Sequence, residues 1–195
     1  KNAIKKYPRC KIVIVTGGGK VARDYIEALK DKSEKIRSLI GIKATKLNAM
    51  LVSNFLDNEI VVPDSLSGVE RILKKKNLVV CGSLGYKEKM TSDGTAADIA
   101  RYIKTDLLIN MTNVKGLFDK DPRKFRNAKF ISEINFSDFL KMLNKIKYKP
   151  GQHFVLDQIA ARIISRYKIK TVILKGTREL RKCLNGEKFA GTMIN

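Results

Sequence analysis

Two kinds of hydrophobic pattern alternate along this chain. Short runs of apolar, mostly β-branched residues predict strands that are buried on both faces, and longer stretches with apolar residues every three or four positions predict amphipathic helices. The predicted strands are CKIVIVT (10–16), IVVP (60–63), NLVVCGS (77–83), DLLINMTNV (106–114), the start of FISEINFSDFLKMLNKI (130–146), KTVILKG (170–176) and a last edge strand, GTMI (191–194).

Helical patterns lie between these strands. They cover KVARDYIEALKD (20–31), GIKATKLNAMLVSNFLDN (41–58), SLSGVERILKKK (65–76), SDGTAADIARYIK (92–104), the rest of 130–146, LDQIAARIISRYK (156–168) and TRELRKCLNG (177–186). Ser92 or Asp93 is the predicted N-cap of the fourth helix. The residues expected to face inward are Val21, Tyr25, Ile26 and Leu29 in the first helix and Ala44, Leu47, Met50 and Leu51 in the second.

The alternation of strands and helices predicts an α/β fold with a mainly parallel sheet and helices on both faces. The length of 195 residues is that of one domain. Ligands of such sheets bind beyond the carboxyl ends of the strands. Three loops with unusual chemistry follow predicted strands, at 17–19, 82–93 and 112–121. The sequence therefore predicts one site at which the three loops converge.

The formal charge of +21 comes from 40 Lys and Arg against 19 Asp and Glu. This charge suits nucleic-acid binding, but it equally suits solvated basic faces that attract polyanionic substrates such as nucleotides. Because the basic residues are spread along the whole chain and no nucleic-acid module is recognisable, we expect no nucleic-acid partner. No apolar run reaches the ~18 residues that a membrane span needs, so no membrane partner is expected either.

The cysteines and the histidine narrow the possible chemistry. Cys10, Cys81 and Cys183 are far apart and form no CxxC pair, which argues against a disulfide framework or a zinc site and favours a reducing cytoplasm. His153 is the sole histidine, which excludes a multi-histidine metal site. Neither residue type offers a convincing catalytic group.

The triple glycine Gly17–Gly19 follows the first strand and precedes Lys20 and Arg23. A loop without side chains can turn its N–H groups toward an anion, the next helix adds its positive end, and Arg23 can bind a phosphate through two hydrogen bonds. A tight turn with surface basic residues is the structural alternative. The loop is not a P-loop, because Val21 follows Lys20, and a dinucleotide site would need an acidic residue that 36–46 lacks.

Two further segments carry polar groups suited to nucleotides. In CGSLGYKEKMTSDGTAAD (81–98), Thr91 and Ser92 can hold a phosphate monoester, while Asp93 can orient basic groups or a magnesium shell. In MTNVKGLFDKDP (111–122), Phe118 offers an aromatic face for a purine or its ribose. An ordinary helix cap and an ordinary surface loop are the structural alternatives.

Taken in order, six segments resemble the amino acid kinase family, and most closely its archaeal type of uridylate (UMP) kinase, from about residue 12 to residue 194. They are GGGKVAR (17–23), GIKATKLNAML (41–51), TSDGTAAD (91–98), DLLINMTNVKGLFDKDP (106–122), VLDQIAARII (155–164) and GTMI (191–194). The resemblance implies a single domain over 1–195 with a three-layer αβα sandwich, assembled as a hexamer. It also implies magnesium-dependent transfer of the ATP γ-phosphoryl group to UMP, giving UDP for pyrimidine nucleotide biosynthesis.

The resemblance also assigns roles by position. It implies catalytic roles for Arg23, Asp93 and Asp157. It implies UMP binding by Gly18, Ser38, Ser83, Leu84, Gly85, Thr91 and Ser92. It implies ATP binding by Gly19, Arg23, Thr112, Asn113, Phe118 and Asp121, and it names no side chain as a direct metal ligand.

Three departures from the family pattern bear on these roles. Family members open with an extra strand and a Gly-Gly-Ser loop, whereas only KNAIKKYPR precedes the first strand here, so we expect an N-terminally incomplete chain that lacks this strand. Ser38 stands where the family usually has an Asp that holds the UMP ribose. The segment GYKEKMTSD (85–93) is longer and more basic than the family loop. Two alternatives therefore stay open: a non-catalytic protein that binds a nucleotide or an oxoanion, and a sibling kinase with another phosphate or carboxylate acceptor.

Overall fold

The computed structural model describes residues 6–56, 61–120, 122, 124–145 and 156–195. They form two compact units, one that ends at Ile99 and one that begins at Ala100. The strands are β1 (Ile12–Val15), β2 (Leu78–Cys81), β3 (Leu108–Thr112), β4 (Leu117–Phe118), β5 (Phe130–Ile131), β6 (Glu133–Ile134), β7 (Thr171–Lys175) and β8 (Gly191–Ile194). The helices are α1 (Gly19–Ala28), α2 (Glu34–Phe55), α3 (Leu66–Leu73), α4 (Ser92–Tyr102), α5 (Phe136–Lys145), α6 (Gln158–Tyr167) and α7 (Gly176–Leu184).

The predicted α/β fold is confirmed, with three local corrections. The second helix begins at Glu34 rather than at 41, because the Ser33 hydroxyl accepts a hydrogen bond from the Ile36 N–H and caps it there. Residues 61–63 of the predicted strand IVVP form no strand, since Pro63 has no N–H to donate and the cap of α3, Ser65, follows at once. Short β4 was not predicted as a strand.

In the first unit, β1 and β2 run parallel, with Ile12 opposite Leu78 and Val15 opposite Cys81. Their carboxyl ends are therefore level, and the Thr16 N–H continues the ladder to the Cys81 carbonyl at 2.9 Å. The loops that follow β1 and β2 consequently start side by side at the same edge.

Helix α2 packs on this edge through small side chains. Ala44, Thr45, Ala49 and Ser53 are its buried residues, and they recur at nearly regular spacing along one side of the helix. Because these side chains are small, the helix backbone comes close to the chain that follows β2: a Cβ added to Gly82 would lie 2.7 Å from the Lys46 nitrogen. This close approach sets the position of α2 relative to the strand ends.

The predicted inward faces of the first two helices are largely wrong. Ala44 is buried as expected, but the large side chains of α2 point away from the strands, with Leu47 at 59%, Met50 at 43% and Leu51 at 57% exposure. In α1 the buried residue is Ala22, Ile26 and Leu29 are half-buried, and Val21 and Tyr25 are exposed. Close backbone packing selects small residues for the inside, so hydrophobicity alone pointed to the wrong face of α2 and was right in the first helix only for Ile26 and Leu29.

Thr45 joins α2 to both strand ends. Its Oγ1 donates to the Ile42 carbonyl at 2.7 Å and accepts from the Ser83 N–H at 2.9 Å. Its carbonyl accepts from the Thr16 Oγ1 at 2.8 Å. A single buried residue thus fixes the helix against the residue after β1 and the second residue after β2.

In the second unit, four strands form a sheet in the order β3-β7-β8-β6. The β3–β7 and β6–β8 pairs are parallel, whereas β7 and β8 are antiparallel. The last strand GTMI is therefore not an edge strand as predicted, because it lies between β7 and β6. A separate antiparallel pair, β4–β5, is tied to β8 by Thr192, whose Oγ1 accepts from the Leu117 N–H and donates to the Ile131 carbonyl.

None of the helices in the described part of the chain combines the length and the apolar character that a bilayer crossing demands.

We expect Thr45→Val to lower the free energy of unfolding by about 1–3 kcal/mol, because it leaves the buried Ser83 N–H without its acceptor. Urea unfolding of the two proteins measures the difference. Thr45→Ser is the matched control, since it keeps the hydroxyl and removes only a methyl group. A valine variant that is as stable as the serine variant would contradict the role of this hydroxyl.

Candidate active site

The triple glycine forms the turn from β1 into α1. Gly19 has φ +61°, a conformation that L side chains rarely adopt, and a Cβ added to Gly18 would lie 2.3 Å from the Ala22 Cβ. The turn therefore requires glycine at both positions. No side chain caps the N-terminus of α1, and its first turn holds no acidic residue. The first N–H groups of α1 and the positive end of its dipole are thus suited to an anion.

The structure brings the glycine turn next to the start of α4. A Cβ added to Gly17 would lie 3.5 Å from the Ser92 Oγ, so the Ser92 hydroxyl directly faces the turn. The Asn48 side chain of α2 supports the other side, where its Nδ2 donates to the Gly17 carbonyl at 2.7 Å. Two helix N-termini, those of α1 and α4, therefore meet at the ends of the parallel strands β1 and β2.

The start of α4 differs in detail from the prediction. Thr91, rather than Ser92 or Asp93, is the N-cap: its Oγ1 accepts from the Gly94 N–H at 3.2 Å, and its carbonyl accepts from the Thr95 N–H at 2.9 Å. Ser92 and Asp93 consequently lie in the first turn of the helix, where both are half-buried. An acidic residue in the first turn, such as Asp93, interacts favourably with the positive end of the helix dipole.

The basic residues of α1 remain in solvent. Lys20 and Arg23 are exposed, one turn of helix apart on the first two turns of α1. Long exposed side chains of this kind can move toward an anion at the helix N-terminus at a small desolvation cost. They add positive charge to the side of the site on which the glycine turn lies.

The segment between Ser83 and Thr91 begins and ends at this site. Ser83 is buried and held by Thr45, Leu84 is half-buried, and Gly85 has φ +71°. Farther along, the Lys87 Nζ donates to the Asp98 Oδ2 at 2.7 Å. Ser38 of α2 is half-buried one turn after Lys35, whose Nζ lies 5.9 Å from the centre of the Tyr86 ring.

In the second unit, Thr112 and Asn113 stand at the carboxyl end of β3. Thr112 is in register with Lys175, the last residue of β7, so the ends of these two parallel strands are level as well. Phe118 of β4 packs edge-on against Phe130, with 5.4 Å between ring centres. That the Thr112–Phe118 loop contacts the same ligand as the glycine turn stays a prediction.

Of two acidic residues in the predicted site, the structure describes Asp157 but not Asp121. Asp157 is the N-cap of α6, where its Oδ1 accepts from the Ile159 and Ala160 N–H groups at 2.7 and 2.9 Å. This carboxylate therefore organises a helix start, and any catalytic part it plays is added to that role. Asp121 and His153 lie outside the described residues.

Cys81 and Cys183 are poorly suited to nucleophilic chemistry. Cys81 is buried at the end of β2, and burial raises the pKa of its thiol to about 12. Partial burial also raises the pKa of the Cys183 thiol. All three cysteines are unpaired thiols, and the raised pKa values keep the Cys81 and Cys183 thiols protonated at neutral pH.

Sequence reasoning did not single out four residues that shape these strand ends. They are Thr16, Thr45, Asn48 and Lys175. The sequence contains a signal for the first three. Thr16 is a polar residue directly after β1, and Thr45 and Asn48 are polar residues three positions apart among small residues of α2. Lys175 carries no such signal, because only the pairing of β3 with β7 shows that it stands beside Thr112.

Comparisons with known proteins identify the family to which this chain belongs. The amino acid kinase family model matches residues 2–175. A uridylate kinase of Methanococcus aeolicus is 39% identical over 189 residues, which is 95% of this chain and 83% of that protein. A uridylate kinase of Archaeoglobus fulgidus is 37% identical over 188 residues, covering 94% of this chain and 84% of that protein.

Solved structures of uridylate and UMP kinases share the fold of this chain. The crystal structure of the Archaeoglobus fulgidus uridylate kinase matches with a TM-score of 0.86 and 34% identity, over 100% of this chain and 89% of that chain. A UMP kinase from Ureaplasma parvum, at 21% identity and a TM-score of 0.78 over 100% of this chain and 86% of that chain, shares the fold. With its glycine turn, its paired helix N-termini and these matches, the chain belongs to the amino acid kinase family.

Proposed function

We propose that this protein transfers the γ-phosphoryl group of ATP to UMP, which yields UDP and ADP. The observation that supports this proposal most directly is the meeting of the glycine turn with the start of α4, where Gly17 faces Ser92. The arrangement occurs in a chain whose relatives from Methanococcus aeolicus and Archaeoglobus fulgidus are named uridylate kinases. The product would enter pyrimidine nucleotide biosynthesis.

The physical demands of this reaction match the groups at the site. An oxygen of the UMP phosphate attacks the γ-phosphorus in line, the bond to the β-phosphate oxygen breaks, and ADP leaves with that electron pair. No covalent intermediate with the protein is needed, so the reaction requires no thiol nucleophile. The reaction needs two anions held end to end with their charge neutralised, and two helix N-termini with glycine N–H groups supply fixed positive dipoles for that purpose.

Individual residues then take definite roles. The UMP phosphate is bound by Gly18 and by the hydroxyl groups of Thr91 and Ser92 at the start of α4. The pocket for the rest of the UMP molecule is lined by Ser83, Leu84, Gly85 and Ser38. Gly19 and Arg23 contact the ATP phosphates, and Arg23 neutralises charge on the transferring group. Asp93 orients the basic groups or the metal shell, and Thr112, Asn113, Phe118 and Asp121 bind the ATP nucleoside. Asp157 contributes through the N-terminus of α6, which it caps.

Magnesium enters this proposal with the nucleotide. Within the described ranges, no three Asp, Glu, His or Cys side chains gather into a metal site. Mg²⁺ commonly keeps several water ligands and is bound by substrate phosphates and one or two carboxylates, so it requires no cluster of protein ligands. Asp93 is the residue of the first unit placed to serve as such a carboxylate or to hydrogen-bond a metal-bound water.

We also propose that the protein is a cytoplasmic homo-oligomer, with a hexamer as the expected form. An apolar stripe runs along the outer face of α2, where Leu47, Met50, Leu51 and Phe55 are between 43% and 72% exposed. A stripe of this size on one helix is unusual for the surface of a monomer and marks a contact surface. The three unpaired cysteines fit a reducing compartment.

The acceptor test uses the purified protein with ATP, Mg²⁺ and a panel of acceptors in a coupled ADP-release assay. We expect turnover with UMP to exceed turnover with CMP, AMP, acetylglutamate and aspartate. Turnover restricted to a different acceptor would favour the sibling-kinase alternative. Nucleotide binding by calorimetry without turnover of any acceptor would favour the non-catalytic alternative.

Asp93→Asn is expected to lower kcat by on the order of 10²-fold or more, because it removes a charge that organises the transferring group. Thr91 rather than Asp93 caps α4, so this cap survives the substitution, and the melting temperature checks that the fold is kept. Asp106→Asn, an exposed acid outside the predicted site, is the matched control. Near-normal turnover of the Asp93 variant would remove this residue from the mechanism.

Leu51→Lys is expected to weaken the assembly, because it puts a charge in the middle of the apolar stripe on α2. Light scattering coupled to size-exclusion chromatography reads out the molar mass at matched concentration. Phe125→Lys, at an aromatic residue that is 49% exposed in the second unit, is the control. An unchanged mass for the Leu51 variant alongside an oligomeric parent would show that α2 is not the contact surface.

A further inference from the structure

The segment between Ser83 and Ser92 is anchored at both ends beside the glycine turn. At its start the buried Ser83 N–H donates to Thr45, and at its end the Ser92 Oγ faces Gly17. The chain between them, residues 84–91, belongs to no helix or strand. It leaves the rim of the candidate active site and returns to the same rim, so its conformation shapes that side of the site.

An ion pair holds the middle of this segment. The Lys87 Nζ lies 2.7 Å from the Asp98 Oδ2, and the Asp98 side chain is only 11% exposed. The Lys87 ammonium, on a side chain that is 55% exposed, is the cation that the structure places against this nearly buried carboxylate. Asp98 lies on α4 between one and two turns after Ser92, so the same helix fixes the end of the segment and its middle.

The other charged pair of the segment does not act as an anchor. Lys89 and Glu88 are 3.6 Å apart, but both side chains are more than 70% exposed and they are neighbours in sequence. Exposed pairs of this kind contribute little. A turn in which the Met90 N–H donates to the Lys87 carbonyl at 3.1 Å adds only local order. The Lys87–Asp98 pair therefore links the segment to a nearly buried partner on a regular element.

Next to Lys87, Tyr86 brings the segment close to the first turns of α2. Its ring lies 5.9 Å from the Lys35 Nζ. Lys35 and Ser38 are three residues apart on α2 and so share a face of that helix. The segment thus extends from the glycine turn toward the helix face that carries Ser38.

We propose that Lys87 and Asp98 are positioning residues for the acceptor nucleotide. Their ion pair holds residues 84–91 as a fixed wall between the glycine turn and the Ser38 face of α2. Neither side chain takes part in the transfer itself. This inference rests on the proposed function, because it assigns the wall to the acceptor side of that same site.

The expected effect is on acceptor affinity. If loss of the pair leaves the wall in place for only about a tenth of the time, the KM for UMP rises about tenfold, because only that fraction of the protein is competent to bind. The kcat at saturating UMP and the KM for ATP stay within about twofold of the parent values. A general loss of stability or a catalytic role would instead lower kcat.

The variants are Lys87→Gln and Asp98→Asn, with Lys87→Arg as the conservative rescue and Lys89→Gln as the matched control. Lys89→Gln removes the same charge from the same segment without touching Asp98, so it should raise the KM for UMP much less than Lys87→Gln. Lys87→Arg should keep most of the parent affinity. Equal KM values for the two glutamine variants would show that charge alone matters and would overturn the proposal.

A second measurement does not depend on activity. Chymotrypsin cleavage after Tyr86, identified by fragment mass, should be faster in Asp98→Asn than in the parent, because that variant leaves the sequence around the cleaved bond unchanged. Lys87→Gln provides a second test through its KM should the Asp98 variant fold poorly. Unchanged cleavage together with an unchanged KM for UMP would overturn the proposal. If the parent turns over no UMP, the proposed function fails, and the cleavage rates still decide whether the pair holds the segment.

Discussion

The close approach of α2 to the carboxyl ends of β1 and β2 is the constraint on which the first unit depends. Small residues on one side of the helix allow it, and Thr45 converts it into specific hydrogen bonds to Ile42 and Ser83, with Thr16 bonded to its carbonyl. From this contact follow the place of Asn48 against the glycine turn and the start of the 84–91 segment. The site is thus assembled around a helix backbone rather than around a large hydrophobic side chain.

This construction explains how a strongly basic chain can serve the proposed transfer between two nucleotides without a covalent intermediate. Fixed dipoles at the N-termini of α1 and α4 need no reorganisation when charge moves, whereas exposed Lys20 and Arg23 can follow the charge as it shifts. The buried Cys81 thiol, with its pKa raised to about 12, is chemically inert beside them. Such a site is suited to the proposed reaction because it can align two phosphate groups and neutralise their charge.

Much of the fold could be predicted from the sequence, because continuous β-branched runs and three-to-four-residue periodicity determine strands and helices locally. The glycine turn was equally visible, since Gly18 and Gly19 have conformational and steric requirements that only glycine meets. The packed side of α2 could not be predicted, because close backbone contact favours Ala44, Thr45 and Ala49 over the larger Leu47 and Leu51. The interior place of β8 is a property of sheet order, which no local pattern contains.

Different sides of helix α2 make different contacts. One side meets the strand ends through Thr45, its first turns carry Ser38 and Lys35 near Tyr86, and its outer stripe is the proposed contact surface. More than half of its 22 positions therefore have an assigned contact or role. Substitutions should therefore accumulate more slowly in this helix than in the short, surface-lying α7, which has no buried residue, and random mutagenesis would find 34–55 among the least tolerant stretches of the chain.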